Sequence, residues 1–412
     1  MDETVKFGVG FITGRPNVCK IINTTYEQLV EQSGKFDKKI ELTIFILFDL
    51  SYQYTTRVDF YGLIPKVYKN IKIKYITPED IEEEKKSLIG RGILKRQEAE
   101  MFFGYGYAKA RNTLLYNALI NKMDHFLFWD DDEYPAACIK NEDGTLEWIG
   151  QDNIIKHIEY MENADVTFGY RCGYNSPIPY MDLENPENEK VFRPFVDAVG
   201  NEFLTYDKLK DEFKKNNGVT YADPEIINGK GACEIEEVGG GKWVAGSPLC
   251  LNLRHLENIP AFYNPEGARG EDAFFSTLLK NSKVVRVPVY HFHDPFLKYT
   301  RILRKKYPKT LDKMCRNNEE ISRRFEKAAR GWIKYRPLYL YIVNQKNYTA
   351  EIEKTRENLQ KSVSGMNQLF ADTDFTPLFD ELELYHNNVK KDYSNYNKVN
   401  EIWNKLKSLK DE

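Results

Sequence analysis

Between Glu41 and Phe48 the chain reads ELTIFILF, an unbroken apolar run that ends at Asp49. A strand this apolar must be covered on both faces, as in the sheets of α/β proteins. A second such run, HFLFW, spans His125 to Trp129. Around them, Phe7 to Thr13 reads as a strand and Asn17 to Gln32 as a helix. Ile71 to Ile76 (IKIKYI) alternates like a strand nearer an edge, and Ala99 to Lys122 reads as one long helical stretch. Strands alternating with helices predict an α/β fold, Rossmann-like, with a mostly parallel central sheet and flanking helices.

The middle of the chain is less regular. Ala164 to Tyr170 and Lys242 to Leu253 read as strands. Residues 175–231, polar and carrying Pro and Asn, read as loops with one charged helix near Tyr206 to Lys215. Gly239, Gly240 and Gly241 mark a flexible joint. Glu271 to Leu279 predicts a short helix, and Lys283 to His291 a strand that runs into His293, Asp294 and Pro295. From Leu297 the sequence becomes charged and helix-forming. The predicted organisation is therefore an α/β catalytic domain over 1–295 and a C-terminal helical region over 296–412, which also offers a surface for homo-oligomer formation.

Bulk properties exclude several classes. The 412 residues are too many for one simple core, and 42% of them are apolar. A formal net charge of -3 provides no general field for nucleic acid. The six cysteines form no CxxC pair, which fits reduced thiols in a cytoplasm. Neither a signal peptide nor a run of roughly 18 apolar residues is evident, so the expectation is a soluble cytoplasmic protein with at most peripheral membrane contact. Charge is uneven: from Leu297 to Arg336 there are 14 Lys+Arg against 4 Asp+Glu. That basic stretch suits an acidic acceptor, an anionic lipid surface or a partner subunit, or is simply a solvated face.

The chemistry centres on FLFWDDDEYP, Phe126 to Pro135. An apolar strand here delivers Asp130, Asp131, Asp132 and Glu133 at its carboxyl end, where open α/β sheets bind ligands. Clustered carboxylates repel one another, and a hard divalent cation such as Mg²⁺ or Mn²⁺ offsets that while bridging a diphosphate. Ala110-Arg111-Asn112 precedes this strand and offers a guanidinium for phosphate. Glu271 and Asp272, opening an apolar helix, serve either as N-terminal caps or as a general base. His291 and His293 alternate, so both face one side of an extended segment and suit a metal shell. Asp49 also ends a strand, where it can accept a hydrogen bond from a base ring.

This order resembles the GT-A fold nucleotide-sugar glycosyltransferases, family 2 and its relatives. The order is a strand ending near Thr13, a strand ending in Asp49, the Ala-Arg-Asn helix, a strand ending in Asp-x-Asp, then Glu271-Asp272 and a strand ending in His. The likeness spans roughly Val5 to Pro295. It implies that Arg111, Asn112 and the Asp130/Asp132 pair bind the nucleotide diphosphate and metal, with Asp131 leaving the register open. Asp272 is implied as the base of an inverting transfer, with Glu271 beside it. His291 or His293 joins the metal, and Thr13, Arg15 and Asp49 line the nucleotide site. The implied donor is a nucleotide-diphosphate sugar, a UDP-sugar before others. The acceptor is a hydroxyl of a glycan, a lipid-linked molecule or a protein.

Two departures stand out. Phe11-Ile12-Thr13-Gly14-Arg15-Pro16 is not the family's usual turn after the first strand, and the Gln-x-x-Arg-Trp box of polymer synthases is missing, which favours transfer of a single sugar. Gly8, Gly10 and Gly14 do not have dinucleotide-fingerprint spacing. The rival reading is a metal-dependent nucleotidyltransferase or phosphohydrolase, which would use the same acids.

Overall fold

The computed structural model describes residues 4–32, 39–50, 56–174, 177–201, 204–316, 318–370 and 372–411. Among the described residues eleven strands run along the chain: β1 Thr4–Thr13, β2 Lys39–Phe48, β3 Lys72–Ile76, β4 His125–Phe128, β5 Glu133–Tyr134, β6 Ala136–Lys140, β7 Leu146–Gly150, β8 Val166–Gly173, β9 Cys233–Glu234, β10 Leu249–Asn252 and β11 Val284–His293. The helices are α1 Val18–Gln32, α2 Pro65–Asn70, α3 Pro78–Gly90, α4 Arg96–Phe102, α5 Tyr107–Ile120, α6 Asn153–Met161, α7 Pro186–Val199, α8 Tyr206–Asn216, α9 Glu271–Thr277, α10 Glu319–Val343, α11 Tyr348–Leu369 and α12 Leu378–Lys407.

The central sheet has the order β3-β2-β1-β4-β10-β8-β11-β5, with β9 paired to β11. β1, β2, β3 and β4 are mutually parallel, as are β8 and β11, whereas β10 runs antiparallel between β4 and β8. The chain is therefore α/β with a mostly parallel sheet flanked by helices, as its long apolar strands required. β2 is buried from Leu42 through Phe48. β6 and β7 form a separate hairpin.

The glycines of β1 serve packing. A Cβ on Gly8 or Gly10 would come within 2.6 or 2.5 Å of the Phe126 ring. Their absent side chains admit that ring, so β4 lies flush beside β1.

Three expected elements differ. The long helix over Ala99 to Lys122 is two helices, because Gly104 and Gly106 adopt φ of 137° and 89° and turn the chain between them. Only Leu249–Asn252 of the expected strand Lys242 to Leu253 is β, since Gly246-Ser247-Pro248 interrupts it. The stretch 175–231, read as mostly loop, holds α8 as expected and also α7; residues 175, 176, 202 and 203 lie outside the described residues. The Asn and Pro that suggested loop are helix-starting residues here. The Asn185 side chain caps α7 by accepting from the Glu187 amide, and Pro186 occupies the first turn.

The three long C-terminal helices pack on the rest of the chain. Trp403 of α12 stacks on Phe102 of α4 at 5.9 Å, and its Nε1 donates to the Ile259 carbonyl at 2.8 Å. Tyr335 of α10 lies against Phe274 of α9. In the basic stretch, Lys298, Lys305 and Arg330 pair within the chain with Asp312, Glu31 and Glu381. Among the described residues no helix is long and apolar enough to cross a membrane.

Candidate functional site

β4 ends at Phe128, and the acidic run leaves the sheet in a tight turn closed by the Glu133 amide donating to the Asp130 carbonyl at 3.2 Å. The turn sends the four acids in different directions. Asp130 is the outermost, with its side chain 44% exposed. Asp131 and Asp132 face β1: Thr13 Oγ1 donates to Asp131 at 2.6 Å, and Arg15 Nη1 sits 2.9 Å from Asp131 and 3.0 Å from Asp132. Glu133 is fully buried. Arg171 Nε lies 2.6 Å from its Oε1, the Ser247 hydroxyl donates to its Oε2 at 2.6 Å, and His291 Nδ1 stands 3.2 Å away.

Much of the mutual repulsion expected within the acidic run is thus relieved by arginines rather than left for a ligand. Arg15 comes from the turn after β1 and Arg171 from the end of β8. Arg111, on α5, supplies a third guanidinium. Its Nε donates to Glu271 at 3.1 Å, its Nη2 stands 3.6 Å from Asp130, and its face lies over Phe128 and Phe262. Because Arg111 is buried, these charges act through protein rather than water.

Asp272 closes the site from α9. Its helix starts from Gly270 in the left-handed region, which offers no side-chain cap, so Glu271 and Asp272 lie in the first turn rather than at the N-cap. Glu271 is committed to Arg111, whereas among the described residues the Asp272 carboxylate accepts only the first-turn amide of the neighbouring Ala273, at 2.9 Å. Burial, then the charge of Glu271, push the Asp272 carboxyl up to about 6, against the pull of Arg111 and Arg171. A Cβ on Gly246 would lie 3.0 Å from Arg111 Nη2 and 3.4 Å from Asp272 Cβ. The segment before β10 therefore wedges against both.

The histidines sort by partner. β5 pairs antiparallel with β11, with His293 opposite Glu133. His291 is fully buried, stacked on Trp129 at 4.5 Å and bonded to Glu133. His293 is 17% exposed, with Nε2 3.7 Å from Asp132 Oδ1. Burial holds both imidazoles below their ordinary value, hence neutral near pH 7.

Asn112 is not brought to the acidic run. Its amide is spent on both sides of Phe262, donating to the carbonyl at 2.9 Å and accepting the N–H at 2.8 Å. It holds the wall against which Arg111 lies. Asp49 and Thr13 end neighbouring strands, joined by the Asp49 amide donating to the Thr13 carbonyl at 2.9 Å.

Among the described residues no three His, Cys, Asp or Glu side chains converge as a ready-made metal shell. The donor chemistry nevertheless fits a hard cation. Two ligands about 2.1 Å from one ion stand roughly 3 to 4 Å apart, which accommodates Asp132 and His293 at 3.7 Å. Among the described residues the six carboxyls of residues 130–133, 271 and 272 face three guanidiniums, those of Arg15, Arg111 and Arg171.

Sequence reasoning missed Arg171, Ser247 and Gly246, and gave Glu133 no role. Two signals were present: a lone arginine at the end of the apolar strand ADVTFGYRC, and Gly-Ser-Pro inside an apolar run.

No protein-family model and no curated protein matches this chain. Among solved structures, mouse xyloside xylosyltransferase 1 in its apo form is similar over 68% of this chain and 74% of that one, at 10% identity and a TM-score of 0.27.

Proposed function

We propose that the chain transfers a single sugar from a nucleoside-diphosphate sugar to a hydroxyl acceptor, with inversion at the anomeric carbon. The observation that carries this reading is the placement of Arg111. It stands between Asp130, at the end of β4, and Glu271, beside an otherwise lightly bonded Asp272 whose carboxyl is shifted to about 6. A phosphate-binding group and a base thus share one wall.

In this reading Arg111 attracts the donor diphosphate, with Asp49 and Thr13 at the strand ends where the nucleoside lies. Asp272 accepts the proton of the acceptor hydroxyl. The oxygen then bonds to the anomeric carbon as the bond from that carbon to the diphosphate oxygen breaks, and the nucleoside diphosphate leaves with the electron pair. Glu271 and Asn112 act at one remove, the first by fixing Arg111 and the second by holding Phe262 under it. A divalent cation held by Asp132 and His293, with Asp130 on the open side, would neutralise charge on the leaving diphosphate.

The test is calorimetric titration of UDP, GDP and CDP with and without Mn²⁺, on the wild type and on Asp132→Ala. Metal-dependent binding of one nucleotide, lost in the variant, supports the reading and identifies the donor base. Absence of binding with metal present, or pyrophosphate release from a nucleoside triphosphate, overturns it in favour of nucleotidyl or phosphate chemistry.

A further inference from the structure

Arg286, on β11 and well before the histidines, is a cation with no counter-ion among the described residues. Its guanidinium carbon lies over the Tyr170 ring at 3.6 Å and near Phe168 at 5.7 Å. Its Nε is buried without a hydrogen-bond partner. Among the described residues it forms no ion pair, although the chain has 62 acidic residues to offer. The Nε is thus a buried donor left unpaired, which is costly, on a side chain that is otherwise only half-buried. Burial, the largest effect, holds Arg286 below its ordinary value against the opposing pull of Tyr170, Cys233 and Tyr290.

The surroundings are built rather than accidental. The Tyr170 hydroxyl donates to the Gly231 carbonyl at 2.6 Å, and β9 pairs Cys233 with Arg286 itself, so a chain segment is strapped beside the guanidinium. The Asp223 amide donates to Tyr290 Oη at 3.0 Å, fixing the start of that segment. Tyr170 adjoins Arg171, which holds Glu133, so the place is coupled to the acidic run through one strand. A guanidinium pinned on an aromatic face leaves its edge free for planar, two-point recognition of an oxyanion.

We propose that Arg286, stacked on Tyr170, is an anion-binding site that receives a carboxylate or phosphate carried by the acceptor. The substrate class is thus an acidic glycan or a phosphorylated sugar. This rests on the transfer reading above, and the experiment separates the two.

Glucuronate, glucose 6-phosphate, inorganic phosphate and glucose are titrated calorimetrically into wild type, Arg286→Gln and Arg286→Lys, with the nucleotide titration repeated on each. Glucuronate or glucose 6-phosphate should bind the wild type, glucose should not, and Arg286→Gln should lose about tenfold or more in affinity while its nucleotide binding stays unchanged. Arg286→Lys should recover part of the loss. Without anion, Arg286→Gln should melt at or above the wild-type temperature, because an unpaired charge is removed. Equal anion binding by wild type and Arg286→Gln overturns the proposal. So does binding of inorganic phosphate alone, of an adventitious ion only, or of no anion. A lower melting temperature for Arg286→Gln with no anion effect makes the residue structural. Loss of nucleotide binding by the wild type sinks the transfer reading instead.

Discussion

Tyr335 lies so close to Gly270 that a Cβ on the glycine would come within 2.8 Å of its ring. Gly270 has φ of 92° and starts the helix that carries Asp272, so α10 of the C-terminal region braces the candidate base. Gly270→Ala therefore meets two costs, a left-handed backbone and a collision. Gly92, at φ of 72° with open space around it, meets only the first. Urea unfolding should show about 1 kcal/mol lost for Gly92→Ala and about 2–4 kcal/mol for Gly270→Ala. Transfer activity should fall only in the second. Equal losses would mean that Tyr335 does not brace the turn.

Asp272 makes a prediction with two opposite signs. As a base it works only when ionised, so kcat/KM should fall roughly tenfold per pH unit below about 6 and level off above it. For stability, its folded value lies above the unfolded one, so its contribution is full at low pH and is lost as pH rises through about 6. At pH 7.5 the ionised group therefore costs the fold on the order of 1–3 kcal/mol. Asp272→Asn should abolish transfer by about 10²-fold or more and raise the melting temperature at pH 7.5 while leaving it unchanged at pH 4. A variant that loses activity and stability together would point to a structural carboxylate.

The sheet was legible because its strands are unusually apolar. ELTIFILF and HFLFW have no amphipathic alternative, and their carboxyl ends pointed to Asp49 and the acidic run. The partners of the acids were not legible. Arg15 and Arg171 sit far from residues 131 and 133 in the chain, and only the sheet order brings them in. Arginines from distant parts of the chain, unseen in the local sequence, thus offset much of the charge of the four acids. Asn112 differs from its neighbour Arg111 because helical spacing turns its side chain inward to the Phe262 backbone. α7 was hidden by Asn185 and Pro186, which read as loop residues but start a helix.

His291 and His293 should separate by readout. His291→Ala removes a fully buried ring from Trp129 and leaves Glu133 short of a partner, so urea unfolding should show a loss of about 2–4 kcal/mol. His293→Ala removes a partly exposed ring whose near neighbour is Asp132, so stability should change by less than about 1 kcal/mol while Mn²⁺ affinity measured by calorimetry falls about tenfold or more. If His291→Ala alone weakened Mn²⁺ binding, the metal-facing imidazole would be the buried one.

Gly246 and Ser247 are neighbours that should fail in opposite ways. The Ser247 hydroxyl accepts the Asp130 amide at 2.9 Å in a partly buried place while donating to the buried Glu133 at 2.6 Å. Ser247→Ala leaves that amide unpaired and strips a bond from a buried carboxylate, which should cost about 1–3 kcal/mol. Gly246→Ala instead adds a methyl 3.0 Å from Arg111 Nη2, the end of a flexible side chain that can yield. It should cost little stability, but it moves the guanidinium that stands 3.6 Å from Asp130. Nucleotide affinity should then drop about tenfold in Gly246→Ala at near-wild-type unfolding midpoint, whereas Ser247→Ala should unfold earlier. Were Gly246→Ala to bind nucleotide as tightly as wild type, Arg111 would not be the diphosphate-binding group and the wall it shares with Asp272 would need another occupant.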